Sequence, residues 1–164
     1  MAVSLTQALA QKRSRYSDLV TTTIFHNCNK EPSMSTEKTR ETMLRYLESD
    51  HRDVSMMDEQ VVFTIMATGA EHRGRESVME MLNYFYHVAF DASATTRLTL
   101  FGETSAMVES DFIGKHIGEF AGIPATGKSV SVPICVVYEL ADNKIKCGRV
   151  YFEMPVLFKQ IGAS

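Results

Sequence analysis

The chain has 164 residues, of which 45% are hydrophobic and 23% charged, with a net charge of −3. That length suits one domain with a real core plus an extension. The mild acidity gives no electrostatic basis for binding nucleic acid or an anionic membrane surface, and no run nears the ~18 apolar residues of a membrane span.

Residues 1–35 read as an N-terminal arm. Lys12, Arg13 and Arg15 precede the first acid, Asp18, which faintly suggests a transit peptide, but a sustained basic amphipathic face and a secretory core are both missing. Asn27 to Ser35, with Pro32 and Ser33, reads as a linker. A helix is predicted from Ser35, its cap, to about Glu48, with Met43, Leu44 and Leu47 as the apolar stripe and Glu41–Arg45 as an i,i+4 pair. A short helix follows near Asp53–Met57, and Val61–Met66 is an apolar run of strand length ended by Thr68-Gly69.

Gly74 to Phe90 is the clearest helix, since Val78, Met81, Leu82, Phe85 and Ala89 recur at helical spacing. Met79, Tyr84, Tyr86 and Val88 widen its apolar surface, as expected of a helix that lines a cavity or is buried on several sides. From Arg97 the period changes to that of strands: one from Leu98, then Ala106–Ile117, Lys128–Leu140 and Lys144–Met154. Asp142-Asn143 forms a tight hairpin, and Pro155 ends the last strand before a short apolar tail, Val156–Ile161. Helices first and long strands last imply an α+β fold with a curved antiparallel sheet.

The five histidines stand singly, without a metal-binding pair, and Cys28, Cys135 and Cys147 share no CxxC spacing, so no metal is expected and the thiols fit a reducing, cytoplasmic setting. Gly122 to Ser129 matches G-x-x-x-x-G-K-[ST] letter for letter. A phosphate cradle needs a helix to follow, however, whereas Val130 to Val137 is strand-like and contains Pro133; a structured inter-strand loop is the better reading.

The same loop carries a family resemblance. Gly118-Glu119-Phe120-Ala121-Gly122-Ile123-Pro124-Ala125-Thr126-Gly127-Lys128 closely resembles the "GEF-x-GIP-x-TGK" segment of the SnoaL-like polyketide (ester) cyclases, with His116 in the position of that family's "T-x-T-H" lead-in. Asn143-Lys144-Ile145 resembles its "DGKI" hairpin, Tyr151-Phe152-Glu153-Met154 its "YFDM" strand end, Leu157 to Gly162 its "LLxQLG" tail, and His72 to Glu76 its "YRGRE" helix start. The resemblance covers about residues 36–162.

It implies a nuclear-transport-factor-two-like cone, in which the sheet wraps around the N-terminal helices over an internal pocket. It also implies cofactor-independent acid/base chemistry, such as an intramolecular aldol closure, on a small apolar carbonyl or polyketide-like substrate, and homodimers formed through the outer sheet face. The family carboxylate falls on Glu153, a glutamate where aspartate is usual, which moves the reactive oxygens by more than about an ångström. Alternation groups Arg149, Tyr151 and Glu153 on one face; the resemblance turns that face toward the pocket. His116 is the second catalytic candidate, and Tyr138, Tyr84 and Phe120 are candidates for the substrate wall alongside Tyr151 and Arg149. Epoxide hydrolysis, isomerisation and binding without turnover are alternative uses of such a cone.

Overall fold

The computed structural model describes residues 34–162, so most of the arm expected over residues 1–35 lies outside the described residues, as does Cys28. Helix α1 (Thr36–Glu48) starts where Ser35 caps it, the hydroxyl accepting from the Lys38 N–H at 3.3 Å. Its buried side is Thr39, Thr42, Met43 and Tyr46; Leu44 is exposed, and Arg45 pairs with Asp53 at 3.0 Å rather than with Glu41. Strand β1 (Met57–Ile65) follows a single 3-10 turn, Val54–Met56. A turn through Gly69 (φ 74°) then leads to a short strand, β2 (Ala70–Arg73).

Helix α2 (Gly74–Asn83) buries Val78 and Met81 and is tied to β1 by the Arg75 guanidinium, which donates to the Met57 carbonyl at 2.7 and 3.0 Å. It continues as a π-helical segment, Tyr84–Ala89, so the expected single helix changes its winding halfway along. Strands β3 (Phe90–Phe101), β4 (Ser105–His116), β5 (Ser129–Ala141) and β6 (Lys144–Phe152) form the antiparallel meander, with Asp142 (φ 54°) and Asn143 (φ 57°) making the last hairpin. β3 begins earlier than its sequence suggests, because Asp91–Arg97 is polar edge-strand sequence with little hydrophobic alternation.

Two expectations are corrected. The sheet is mixed, not wholly antiparallel: its order is β2-β1-β6-β5-β4-β3, and β1 pairs with β6 in parallel. The apolar tail is a helix, α3 (Met154–Ile161), in which Pro155 sits in the first turn, where its missing N–H would have no helical acceptor.

The concave face of the sheet carries Phe63, Val108, Phe112, Val132, Tyr138, Val150 and Phe152, all buried in one core with residues of α1, α2, the π segment and α3. Gly148 makes this packing possible. A Cβ there would lie 2.8–2.9 Å from the Phe63 ring, which covers the glycine from the paired position on β1. Gly148→Ala is therefore expected to cost about 1–3 kcal/mol by pushing a buried ring off its rotamer, read as a lower urea midpoint. Adding Phe63→Leu should recover part of the loss, and an unchanged midpoint in the single variant would contradict this packing.

Candidate functional site

Two adjoining chambers lie between the concave face and the helices, with cavity volumes of ≈ 50 and ≈ 70 Å³. His51, Tyr86, Ile134, Val136 and Tyr138 line both. The first chamber is otherwise apolar, walled by Phe63, Phe85, Phe112 and Phe152 among others. The second carries the polar groups Asp50, Thr96 and Ser110. Outside the His51–Tyr86 pair lies an open recess of ≈ 340 Å³, which both residues also line.

His51 reaches this position through an unusual backbone. Asp50 (φ 55°) and His51 (φ 63°) are consecutive non-glycine residues in the left-handed region, which reverses the chain just after α1. The turn is held by the Ser49 hydroxyl, which donates to the Tyr46 carbonyl at 2.7 Å and accepts from the Asp53 N–H at 2.9 Å. The His51 imidazole stacks on Tyr86 (centroids 5.9 Å apart, planes at 24°) and meets Tyr46 edge-on at 5.1 Å. Tyr46 in turn packs edge-on against Tyr138 at 6.0 Å, and its hydroxyl is buried with no protein partner among the described residues.

This setting fixes the protonation states. Burial pushes the His51 pKa down, opposed in part by the Asp50 carboxylate, so the imidazole is neutral at physiological pH. Burial pushes Tyr86 up to about 12, and it holds Tyr138 and Tyr46 well above the usual tyrosine range. The cavity thus presents one neutral base and tyrosine hydroxyls that stay protonated and able to donate.

Of the residues singled out from sequence, Tyr138 lines both chambers. Arg149, Tyr151 and Glu153 do not. The β5–β6 register sets Gly148 beside Tyr138 and Arg149 beside Val137, so it is Val150 and Phe152 that face inward. Arg149 pairs with Glu139 on the outer face, Tyr151 is 45% exposed there, and Glu153 is an exposed residue at the start of α3 whose side chain does not cap the helix. The inward direction expected for these three is corrected, because the apolar parity of β6 occupies the core.

His116 is fully buried but lines neither chamber. Its Nδ1 lies 3.1 Å from the Thr126 hydroxyl, its ring lies against Phe90 at 5.1 Å, and Nε2 has no protein partner among the described residues. Its backbone clamps both ends of the glycine-rich loop: the His116 N–H donates to Lys128 and the carbonyl accepts from Gly127, both at 2.9 Å. Phe120 is buried among Phe85, Phe90 and Phe158 behind the cavity wall, while the half-exposed Tyr84 donates to the Glu119 carbonyl at 2.8 Å. Gly122–Ser129 is a loop that enters β5, with Phe120 and Ile123 pairing across a turn at Ala121-Gly122. No helix follows it. Among the described residues no group of three or more His, Cys, Asp or Glu side chains is placed to hold a metal, and no helix is long and apolar enough to cross a membrane.

A curved sheet closed over helices around an internal cavity is the ketosteroid isomerase-like, or nuclear-transport-factor-two-like, architecture. The family model for SnoaL-like polyketide cyclases matches residues 43–161, and the chain belongs to that family. Solved structures agree in fold. A protein of Jannaschia sp. CCS1 assigned to the SnoaL-like polyketide cyclases superposes with a TM-score of 0.71 at 19% identity, covering 84% of this chain and 99% of its own. IdmH from Streptomyces antibioticus, assigned as a polyketide cyclase, gives 0.63 at 18% identity, covering 76% and 98%. A protein of ketosteroid isomerase-like fold from Catenulispora acidiphila DSM 44928, solved with trimethylamine, gives 0.63 at 14% identity, covering 77% and 95%. No curated protein sequence matches significantly.

The lowered His51 pKa has a consequence for stability. Its folded value lies below the ordinary 6.5, so on acidification the unfolded chain takes up the proton first. Stability is full above about 6.5 and falls as pH drops toward the folded value. His51→Phe is expected to flatten that part of the stability–pH curve measured by urea unfolding. A slope identical to that of the unaltered chain would contradict a desolvated, neutral His51.

Proposed function

We propose that the chain is a cofactor-independent acid/base catalyst of the cyclase or isomerase type acting on a small apolar carbonyl compound, with His51 as the proton carrier. The observation that carries this reading is a neutral imidazole held by a left-handed turn in the wall shared by an apolar chamber and a more polar one, with Tyr86 and Tyr138 in the same wall.

The chemistry balances with these groups alone. His51 removes a proton from the carbon next to a carbonyl. The electron pair of the broken C–H bond moves to the carbonyl oxygen, and the resulting enolate accepts hydrogen bonds from Tyr138 or Tyr86. Asp50 favours the imidazolium that forms. The enolate carbon then attacks a second carbonyl, closing a ring, and the alkoxide recovers the proton from His51; where a C=C is conjugated with the enolate, the dienolate instead takes that proton at its far carbon and the double bond shifts, giving an isomer.

Glu153 remains the competing proton carrier, on the strength of its place in the family motif next to Phe152, a cavity-lining residue. Deuterium exchange of the acidic protons of 2-tetralone, followed by NMR in D₂O, separates the two. The unaltered protein should accelerate exchange; His51→Gln should lower the enzymatic rate about 10²–10⁴-fold, and Glu153→Gln should leave it unchanged. The reverse pattern would move the role to Glu153. Absence of acceleration by the unaltered protein would contradict carbonyl acid/base chemistry and favour binding without turnover.

The half-exposed thiols Cys135 and Cys147 and the absence of a spanning helix among the described residues support a soluble, cytoplasmic setting. Two copies are proposed to pair through the convex sheet face, where Leu100, Ile113 and Tyr151 are exposed, with residues 1–35 as an arm on the partner. Sedimentation should then give a dimer that Leu100→Lys with Ile113→Lys converts to monomer and that deletion of residues 1–35 weakens. A monomeric unaltered chain would contradict the pairing.

A further inference from the structure

We infer that the stacked His51–Tyr86 pair is a gate: Tyr86 swings away from His51 into the open recess, and that single movement joins the recess to both inner chambers. This rests on the chambers being where the ligand is handled, and not on which group carries the proton.

His51 and Tyr86 line the recess and both chambers alike. Leu82 separates the recess from the first chamber and Asp50 separates it from the second, which completes the partition. The spaces on its two sides are unequal, ≈ 340 Å³ outside against ≈ 50 and ≈ 70 Å³ within. Neither chamber matches the ~150 Å³ cavity that holds a benzene ring. A carbonyl compound large enough to close a ring is therefore admitted only when the partition moves.

The two members of the pair are held differently. His51 is the fixed post: the Ser49 hydroxyl binds its turn to Asp53, and the fully buried Tyr46 backs its ring edge-on. Tyr86 is the leaf. Its ring packs on His51 and on Phe112 (centroids 5.3 Å apart), and its hydroxyl has no hydrogen-bond partner among the described residues. A change of its χ1 rotamer thus breaks no hydrogen bond. Earlier on the same π-helical segment, Tyr84 is tethered to the Glu119 carbonyl at 2.8 Å, which holds the backbone while Tyr86 turns. On the recess side Tyr86 meets Met79, an unbranched side chain that yields readily, and the exposed Asn83. Because Tyr86 belongs to the wall shared by both chambers, its departure also opens them to each other.

Xenon, which binds in small apolar cavities, tests the gate with neither substrate nor proton transfer. Its entry is followed by NMR exchange at the methyl groups of Ile65, Ile134 and Val136, which line the first chamber. Asn83 lines the recess but neither chamber, so Asn83→Trp fills the space into which Tyr86 turns; it should slow xenon exchange about tenfold. Tyr86→Ala removes the leaf and should speed exchange at least about tenfold. Tyr86→Phe keeps the ring and loses only the unpartnered hydroxyl, so its rate should equal that of the unaltered chain. Unchanged exchange in Asn83→Trp overturns the gate, because the gas then enters elsewhere, and this variant carries the test if Tyr86→Ala fails to fold. Unchanged exchange in a folded Tyr86→Ala overturns it equally. Faster exchange in Tyr86→Phe would reveal a latch and overturn the free leaf. Xenon absent from the first chamber in every variant overturns the enclosed space that the pair closes. If Asn83→Trp slows xenon but the unaltered protein does not accelerate 2-tetralone exchange, the gate stands and the proposed chemistry falls; the opposite pair of results keeps the chemistry and removes the gate.

Discussion

Everything at the site depends on two successive non-glycine residues held in the left-handed region. Asp50 and His51 each adopt a backbone that ordinarily costs an L-residue about 1–3 kcal/mol. The surrounding contacts hold it: the Ser49 hydroxyl bridges the end of α1 to Asp53, and Asp53 is fixed by Arg45 from the helix itself. Without that reversal the chain would leave α1 away from the sheet. With it, an imidazole is carried back beneath Tyr86 and against Tyr46, where burial keeps it neutral.

The sheet and the π segment supply the other half. Strand alternation sends one parity of β6 inward, and Gly148 leaves the gap that the Phe63 ring fills. The rings of Phe63, Phe112 and Phe152 can then stand around a space instead of closing it. On the helical side, the change from α to π winding at Tyr84 re-aims the following side chains, so that Phe85 and Tyr86 both line the cavity. A uniform α-helix would present these residues on a different pitch. Local irregularity on both sides of the cavity, at residues 50–51 and 84–89, is what distinguishes it from an ordinary filled core.

Much of the fold was legible in the sequence because its signals were chemical and local. Ser35 caps where a cap is expected, Asp142-Asn143 makes the hairpin, and the strand-like run after Lys128 favours an inter-strand loop over a phosphate loop despite the matching letters. The parallel pairing of β1 with β6 was not legible, since a continuous apolar run fixes neither partner nor direction. Nor was the direction of β6. Alternation defines two faces, and the polar one, with Arg149, Tyr151 and Glu153, drew attention through chemistry and resemblance, while Val150 and Phe152 held the core. His51 was missed because Ser49-Asp50-His51-Arg52-Asp53 reads as a solvated connection; its only sequence signal is a histidine directly after a helix end and before a 3-10 turn. Tertiary contacts, not local pattern, turn it into the site.

The central claim is that chemistry takes place between His51 and the tyrosine hydroxyls inside the cone. A crystal structure of the protein soaked with 2-tetralone tests it most directly. The expected result is a ketone lying along the two chambers, with its oxygen toward Tyr86 or Tyr138 and its acidic carbon about 3–3.5 Å from the imidazole, the spacing of a reactive pose. A ketone seated instead against the Glu153 carboxylate, with the chambers unchanged, would contradict it.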